Sequence, residues 1–260
     1  MEGSGAEIAE EVEKSPAEEG GGAAEGFKKV FVAGATGRTG RRVVEQLLAK
    51  GFEVRAGAVD VGRARSSLPS SSNVEIVRAD VTEPPETLAE AIGDADAVVC
   101  ATGFRFSWDL FAPWKVDNFG TVNLVEACRK KGVDRFILVS SLLVNGAAMG
   151  QILNPAYIVL NVFGLTLVAK LQAEKFIRRS GINYTIVRPG GLREDPPSGN
   201  LVMEPEDTLF EGSISREQVA EVAVGALLYP ESSFKVVEIV ARREAPERSL
   251  AELFSSIKQR

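Results

Sequence analysis

Three glycines spaced GxxGxxG stand where an apolar run gives way to a helical one, in Val30-Phe-Val-Ala-Gly34-Ala-Thr-Gly37-Arg-Thr-Gly40-Arg-Arg-Val. Gly34 permits a tight turn, Gly37 lets the backbone approach a pyrophosphate, and Gly40 lets the helix lie close to the strand. The helix N-terminus adds unpaired N–H groups and the positive end of its dipole. The chemistry indicated is dinucleotide binding. Other chemistry is removed by composition: the chain has no histidine, so Ser-His-Asp hydrolysis, imidazole acid–base catalysis and the commonest transition-metal sites are excluded. Cys100 and Cys128 lack CxxC spacing and a third partner, and read as small buried hydrophobes of a reducing compartment rather than as a disulfide.

A glycine turn binds phosphate only if a strand and a helix hold it, and the rest of the chain repeats that unit. Apolar runs alternate with segments of helical period, which predicts strands near 29–33, 53–58, 74–78, 97–101, 135–139, 183–187 and 235–240. The helices are predicted near 38–50, 84–92, 114–131, 166–180, 215–228 and 249–258. This β-α-β rhythm predicts an α/β fold, a doubly wound parallel sheet of Rossmann type with right-handed crossovers. Gly51 and Gly132 follow helices ending in Lys50 and Lys131, as glycines that close helices do. Ser215 with Gln218 reads as a capping box, with Ser213 as a rival cap. From Ser198 to Glu211 the alternation breaks, and a small strand-and-loop cap is expected near 190–212 within a single domain spanning 27–260.

The chain is 260 residues long, with a formal charge of −6 and 45% apolar residues, a composition that suits one globular domain. Residues 1–26 form an acidic Gly/Ala/Glu tail expected to stay solvated. Its first 25 residues hold eight Glu and one Lys, so the remainder carries about +1. A nearly neutral body without a basic stripe gives no electrostatic reason to expect nucleic acid. The tail has neither the apolar stretch of a secretory signal nor the arginine-rich make-up of a transit peptide, so any targeting segment is expected to have been removed.

AGATGRTG resembles the glycine motif of the atypical, NmrA-like branch of the short-chain dehydrogenase/reductase superfamily. VRADVTEP, WKVDNFGTVNLVEACRKKGVDRFILVSS, NYTIVRPGGL and ISREQVAEVAV are similar to its later signatures in the same order, over about residues 27–258. GQILNPAYIVLNVFGLTLVAKLQAEK and PGGLREDPPSGN further resemble a plant chloroplast group akin to the dehydrogenase-like subunit of the inner-envelope import translocon. The resemblance implies a plastid location, in the stroma or at a thylakoid or envelope surface. It also implies cofactor contacts from Thr36, Arg38 and Thr39 beside the glycines, and from Asp80 and Val81 by the adenine. Further contacts are implied at Ala101, Thr102 and Gly103 after the fourth strand, Ser140 after the fifth, and Pro189 and Gly190 after the sixth.

The position where NAD-preferring relatives carry an acid for the ribose 2′-hydroxyl is Ala58, and the next, often Arg where NADP binds, is Val59. Arg38 and Arg63 remain as cations suited to a 2′-phosphate, so the expected cofactor is NADP(H), with NAD(H) left open. For hydride transfer the superfamily resemblance implies a Ser and a YxxxK pair. Ser141 fits the Ser and Lys170 the Lys, but the Tyr position is Thr166, whose hydroxyl is too weak an acid for that part. Tyr157, expected in the loop before that helix, is an alternative proton donor. Asp117 and Asn118 lie near the start of the fourth helix, Asn118 read as a brace.

From Phe136 through Ala169 there is no charged residue. Asn145, Gln151, Asn154, Pro155 and Asn161 interrupt the stretch, so it is not read as a transmembrane span. It predicts either a buried strand with a tightly packed helix, or an apolar mouth for an isoprenoid, quinone or pigment-like substrate or for resting on a membrane. Phe104, Phe106, Trp108, Phe111 and Trp114 follow the fourth strand as candidate pocket walls. The leading expectation is an NADP(H)-dependent reductase of a small apolar molecule. The alternatives are a non-catalytic dinucleotide-binding sensor or scaffold, and a factor associated peripherally with a membrane or photosynthetic complex.

Overall fold

Val30–Ala33 are buried at every position, so the strand they form needs cover on both faces. The computed structural model, which describes residues 27–103, 109–162 and 164–258, supplies that cover. Strands β1 (Lys29–Ala33), β2 (Glu53–Ala58), β3 (Val74–Arg78), β4 (Ala97–Cys100), β5 (Arg135–Val139) and β6 (Asn183–Pro189) alternate with helices. The helices are α1 (Arg38–Ala49), α2 (Val61–Ser67), α3 (Pro85–Ile92), α4 (Gly120–Lys131), α5 (Pro155–Val162) and α6 (Thr166–Arg179). Short strands β7 (Gly191–Arg193), β8 (Asn200–Pro205) and β9 (Ser213–Ser215) precede α7 (Arg216–Leu228), β10 (Lys235–Arg242) and α8 (Leu250–Ser256).

The main sheet has the order β3-β2-β1-β4-β5-β6-β10-β8 and is parallel except for β8, which pairs antiparallel with β10. Chain order reverses between β1 and β4, which places a topological switch point at the end of the glycine strand. On one face Val43, Val44 and Leu47 of α1 share a core with Val219, Val222 and Ala223 of α7. On the other, Leu88 and Ile92 of α3, Leu124 and Cys128 of α4 and Ile177 of α6 pack over Phe31, Val98 and Phe136. This is the predicted doubly wound architecture.

Several local outcomes differ from the sequence reading. The expected cap is split: β7 and β9 form a separate two-stranded parallel sheet, whereas β8 closes the edge of the main sheet. Ser215 is the N-cap of α7 with both bonds of the capping box, and the rival Ser213 belongs to β9. Helix α2 was not expected, because Gly62 and its serines mask its period; Asp60 caps it by accepting the Arg63 N–H at 2.9 Å. Tyr157 lies inside a helix rather than a loop, since α5 begins at Pro155 and Asn154 Oδ1 accepts the Ala156 N–H at 2.9 Å. Strand β5 is buried throughout, yet α5 buries none of its residues, so the uncharged stretch is half core and half surface. Among the described residues no single helix is long and apolar enough to cross a membrane. Residues 1–26, and with them the expected solvated tail, lie outside the described residues, as do Phe104, Phe106 and Trp108.

Candidate cofactor and active site

The glycine turn forms as its residue types require. Gly34 has φ +75°, and a Cβ there would press on Ala101 and Thr102 of the segment after β4. A Cβ on Gly40 would overlap the Gly34 carbonyl oxygen, so helix and turn touch backbone to backbone. Gly37 is the N-cap of α1 and brings no side chain to the first-turn N–H groups. Those donors, with the half-buried Thr36 and the buried Thr39 beside them, are what a pyrophosphate would take, so this cradle fits the dinucleotide that the motif implies.

The other expected contacts are distributed along the carboxyl ends of the strands. Asp80 Oδ1 accepts from the Thr82 N–H and hydroxyl at 3.0 and 2.8 Å, and Asn123 of α4 donates to the Val81 carbonyl at 3.1 Å, which fixes the turn after β3. Ala101 donates to Ala33 at 3.0 Å, so the half-buried Ala101 and Thr102 and the exposed Gly103 lie directly beside the glycine turn. Pro189 is buried at the end of β6, and Gly190 donates to Ile239 at 2.9 Å. The two arginines expected near a 2′-phosphate differ. Arg63 is exposed on α2, while Arg38 forms an ion pair with Glu194 at 2.9 Å.

Lys170 is paired with Asp117 of the π-helical segment before α4. It is not a solvated anchor: its Nζ sits 2.7 Å from Asp117 Oδ1, with only 16% of its side chain exposed and none of that of Asp117. Burial opposes the charge on Lys170, but the adjacent Asp117 carboxylate outweighs it and holds the ammonium above the ordinary lysine value. Asp117 is delivered by a π-helical turn, Trp114–Phe119, that runs straight into α4 and alters the side-chain register there. Cys100, at the end of β4, contacts the Thr102 hydroxyl at 3.2 Å; burial pushes its thiol up, against the lowering effects of Thr102 and Lys170. Asn118 is buried next to Asp117.

Thr166 opens α6 one helical turn before Lys170, in the YxxxK register. Tyr157 is placed differently, its ring packed on Gly146 and against the Leu142–Leu143 cluster. Asn161 donates to the Tyr157 carbonyl at 3.0 Å and accepts the Leu167 N–H at 3.1 Å, so it serves as a borrowed cap for α6.

Ser141 is half-buried after β5, whereas Ser140 is buried and donates to Glu174 Oε1 at 2.6 Å. That carboxylate leads into a buried ionic cluster that the sequence reading did not anticipate. Arg188 Nη2 lies 2.6 Å from Glu174 Oε2, and its Nη1 lies 2.8 Å from Asp207 and 3.2 Å from Glu238. Glu238 also accepts the N–H groups of Asp207, Thr208 and Leu209 at 2.8, 3.0 and 2.6 Å, which staples that loop to β10. A cavity of about 240 Å³ beside this cluster is lined by Leu171 and by polar or charged residues that include Asn145, Glu174, Lys175 and Arg178.

An exposed apolar surface lies on and around α5, where Ile158, Val159, Leu160 and Val162 are exposed, with Phe111 exposed before the π-helical segment and Phe119 at its end. Three further residues at the glycine turn also escaped the sequence reading: Arg42, Glu194 and Arg216. The Arg38/Arg42 spacing of four was a visible signal for one shared helix face; nothing local to Glu194 or Arg216 marks their meeting.

Comparison with known proteins agrees with this geometry. Residues 34–230 match the NAD(P)H-binding family. A chloroplastic protein of Arabidopsis thaliana is 73% identical over 232 residues, covering 89% of this chain and 83% of that protein. The chloroplastic Protein TIC 62 of Arabidopsis thaliana is 38% identical over 251 residues, 88% of this chain but only 38% of the length of TIC 62. The crystal structure of the oxidoreductase ylbE from Lactococcus lactis matches with TM-score 0.74 and 26% identity, covering 88% of this chain and 95% of that one. The chloroplast location implied by the sequence resemblance is supported by these plant relatives. With the glycine cradle, the switch point and the Lys170 register in place, the chain belongs to the NAD(P)H-binding family, in the NmrA-like branch of the short-chain dehydrogenase/reductase proteins.

Proposed function

We propose that this chain is an NADPH-dependent reductase that adds hydride to carbon in a small or medium apolar acceptor bearing a conjugated carbonyl, without a side-chain proton donor at the tyrosine position. The observation that carries this reading is the 2.7 Å contact between Lys170 and Asp117 in a site where Thr166 stands in the tyrosine register. A lysine already neutralised by a carboxylate has little field left to lower the pKa of a neighbouring hydroxyl, and a threonine hydroxyl is no acid at neutral pH. Reduction of a simple carbonyl, which needs a proton at oxygen, is therefore disfavoured. Hydride addition to the β-carbon of an enone or quinone moves the electron pair onto oxygen, and water protonates the resulting enolate. A bound reduced nicotinamide supplies that hydride and is left oxidised.

Within this reading Gly34, Gly37 and Gly40 hold the pyrophosphate, Lys170 the cofactor ribose, and Ser141 orients the acceptor. The exposed apolar side chains of α5 form the approach for an apolar molecule and suit a peripheral position at a thylakoid or envelope surface. NADP(H) is preferred over NAD(H) because Ala58 offers no acid for a 2′-hydroxyl, while Arg38 and Arg63 offer cations. A second reading, a non-catalytic dinucleotide-binding sensor or scaffold, is favoured by the same neutralised lysine.

Incubation with NADPH deuterated at C4 and a panel of enones and quinones separates the two. Deuterium at the acceptor β-carbon supports the reductase, and Lys170→Ala is then expected to weaken cofactor binding and stop turnover. Tight NADPH binding with no transfer across the panel would instead favour the sensor.

A further inference from the structure

Three arginines from two helices converge on one exposed carboxylate at the mouth of the glycine turn. Arg38 Nη1 and Arg216 Nε lie 2.9 and 2.6 Å from Glu194 Oε1, and Arg42 Nη2 lies 3.3 Å from Oε2. The arginines are not equally free. The side chains of Arg42 and Arg216 are 17% and 11% exposed, while Arg38 is 71% exposed. Arg42 Nη1 donates to the Arg38 carbonyl at 2.7 Å, and Arg216 Nη1 donates to the Thr39 hydroxyl at 3.1 Å. Arg216 is thus anchored on a residue of the first turn of α1, the turn whose N–H groups have no side-chain cap.

The charge balance favours an anion larger than the one present. Glu194, together with Glu217 at 3.5 Å from Arg42 Nε, offsets two of the three positive charges. Glu194 itself is 46% exposed, and an exposed ion pair is worth only about 0–1 kcal/mol. A pyrophosphate carries more charge and accepts forked guanidinium hydrogen bonds that are stronger than those to an exposed carboxylate. It would also use the helix N–H groups that Glu194 does not reach.

We propose that Glu194 is an internal competitor for the cofactor phosphates: it shares Arg38 and Arg216 with them, and a bound dinucleotide takes these guanidiniums from it. Arg216 is then a phosphate-binding residue supplied from α7. Glu194 follows β7 directly, so the exchange ties occupancy of the glycine turn to the freedom of the segment that leads from β7 to β8. This inference rests on the dinucleotide-binding reading and adds a residue and a competition to it.

Calorimetric titration with NADPH of the wild type, Glu194→Gln, Arg216→Gln and the double variant tests it. A competitor predicts binding about two- to fivefold tighter in Glu194→Gln, the range set by one exposed ion pair. It also predicts about tenfold weaker binding in Arg216→Gln, the worth of a charged hydrogen bond. In the double variant the gain from Glu194→Gln should shrink, because the arginine it frees is gone. Unchanged or weaker binding in Glu194→Gln would make Glu194 a brace for the arginines and overturn the proposal. An undiminished gain in the double variant would reduce it to a long-range charge effect and overturn it as well. Wild type that binds no NADPH would defeat the dinucleotide reading itself, a result distinct from either.

Discussion

Arg188 and Glu194 stand close together in sequence, on either side of the turn into β7, yet each anchors an ionic cluster of the opposite kind. Arg188 is one cation, 2% exposed, among Glu174, Asp207 and Glu238. Glu194 is one anion, half in solvent, among Arg38, Arg42 and Arg216. The buried cluster draws on α6, β6, β10 and the loop after β8, and every exchange of partner there would strand a charge in a medium that cannot solvate it. The surface cluster can trade its carboxylate for another anion at little cost. The difference teaches which ionic contacts in this fold are framework and which are available to a ligand.

The sharpest way to break that distinction is Arg188→Met. If the buried cluster is framework, the variant should lose about 3–5 kcal/mol of stability in urea unfolding, since three carboxylates lose their cation, while NADPH affinity per folded molecule is retained. A variant that keeps its stability would mean that the carboxylates find water or protons instead. Next in size is Thr166→Tyr, which restores YxxxK. Combined with Asp117→Asn to free the charge of Lys170, it should raise turnover of a simple carbonyl acceptor by about a hundredfold, the lower range of general acid catalysis. With Asp117 left in place the gain should be much smaller. The comparison of the single and double variants in a steady-state assay reads this directly.

Acid titration offers a further contrast. Burial pushes Glu238 above its ordinary value of 4.5, and the N–H groups of residues 207–209 and Arg188 only partly offset this. A carboxyl favoured in its protonated form by the folded state contributes most below the ordinary value, and that contribution is lost as pH rises through the raised one. Wild type should therefore lose stability relative to Glu238→Gln over that interval in thermal unfolding at stepped pH. Lys170 has the same sign in a different window: its ammonium is held above the ordinary value of 10.5, so the contribution of its ion pair is complete throughout the neutral range and is lost only as pH rises into strong alkali. The smallest expected effect is that of Ser215→Ala. It removes the capping box of α7, should cost about 1 kcal/mol in the same unfolding assay, and should weaken NADPH slightly because Arg216 is the first residue of that helix.

How much of this was legible follows the range of the forces. The strands from β1 to β6, the glycine turn and the capping box at Ser215 carry their signal in residue type and local spacing, so period and punctuation disclosed them, even though the strands are held by distant partners such as the Val30–Ala97 pairing of β1 with β4. Helix α5 was hidden because an uncharged stretch has no polar face to show a helical period, which left a buried reading and an exposed apolar one open, although Asn154-Pro155 marked its start. A strand was expected in the segment that holds β8, as part of a cap, but its place at the edge of the main sheet was hidden, because only pairing with the distant β10 decides it.

The sequence by itself determined that a glycine turn of dinucleotide-binding spacing exists, that histidine chemistry does not, and that Thr166 stands four residues before Lys170, because these are matters of residue type and local spacing. Tertiary structure alone decided that Asp117 neutralises Lys170, that Arg188 is buried among carboxylates, and that Glu194 gathers arginines from α1 and α7. Each of these depends on the Coulomb interaction of groups brought within about 4 Å by the packing of distant elements, and no spacing along the chain encodes that distance.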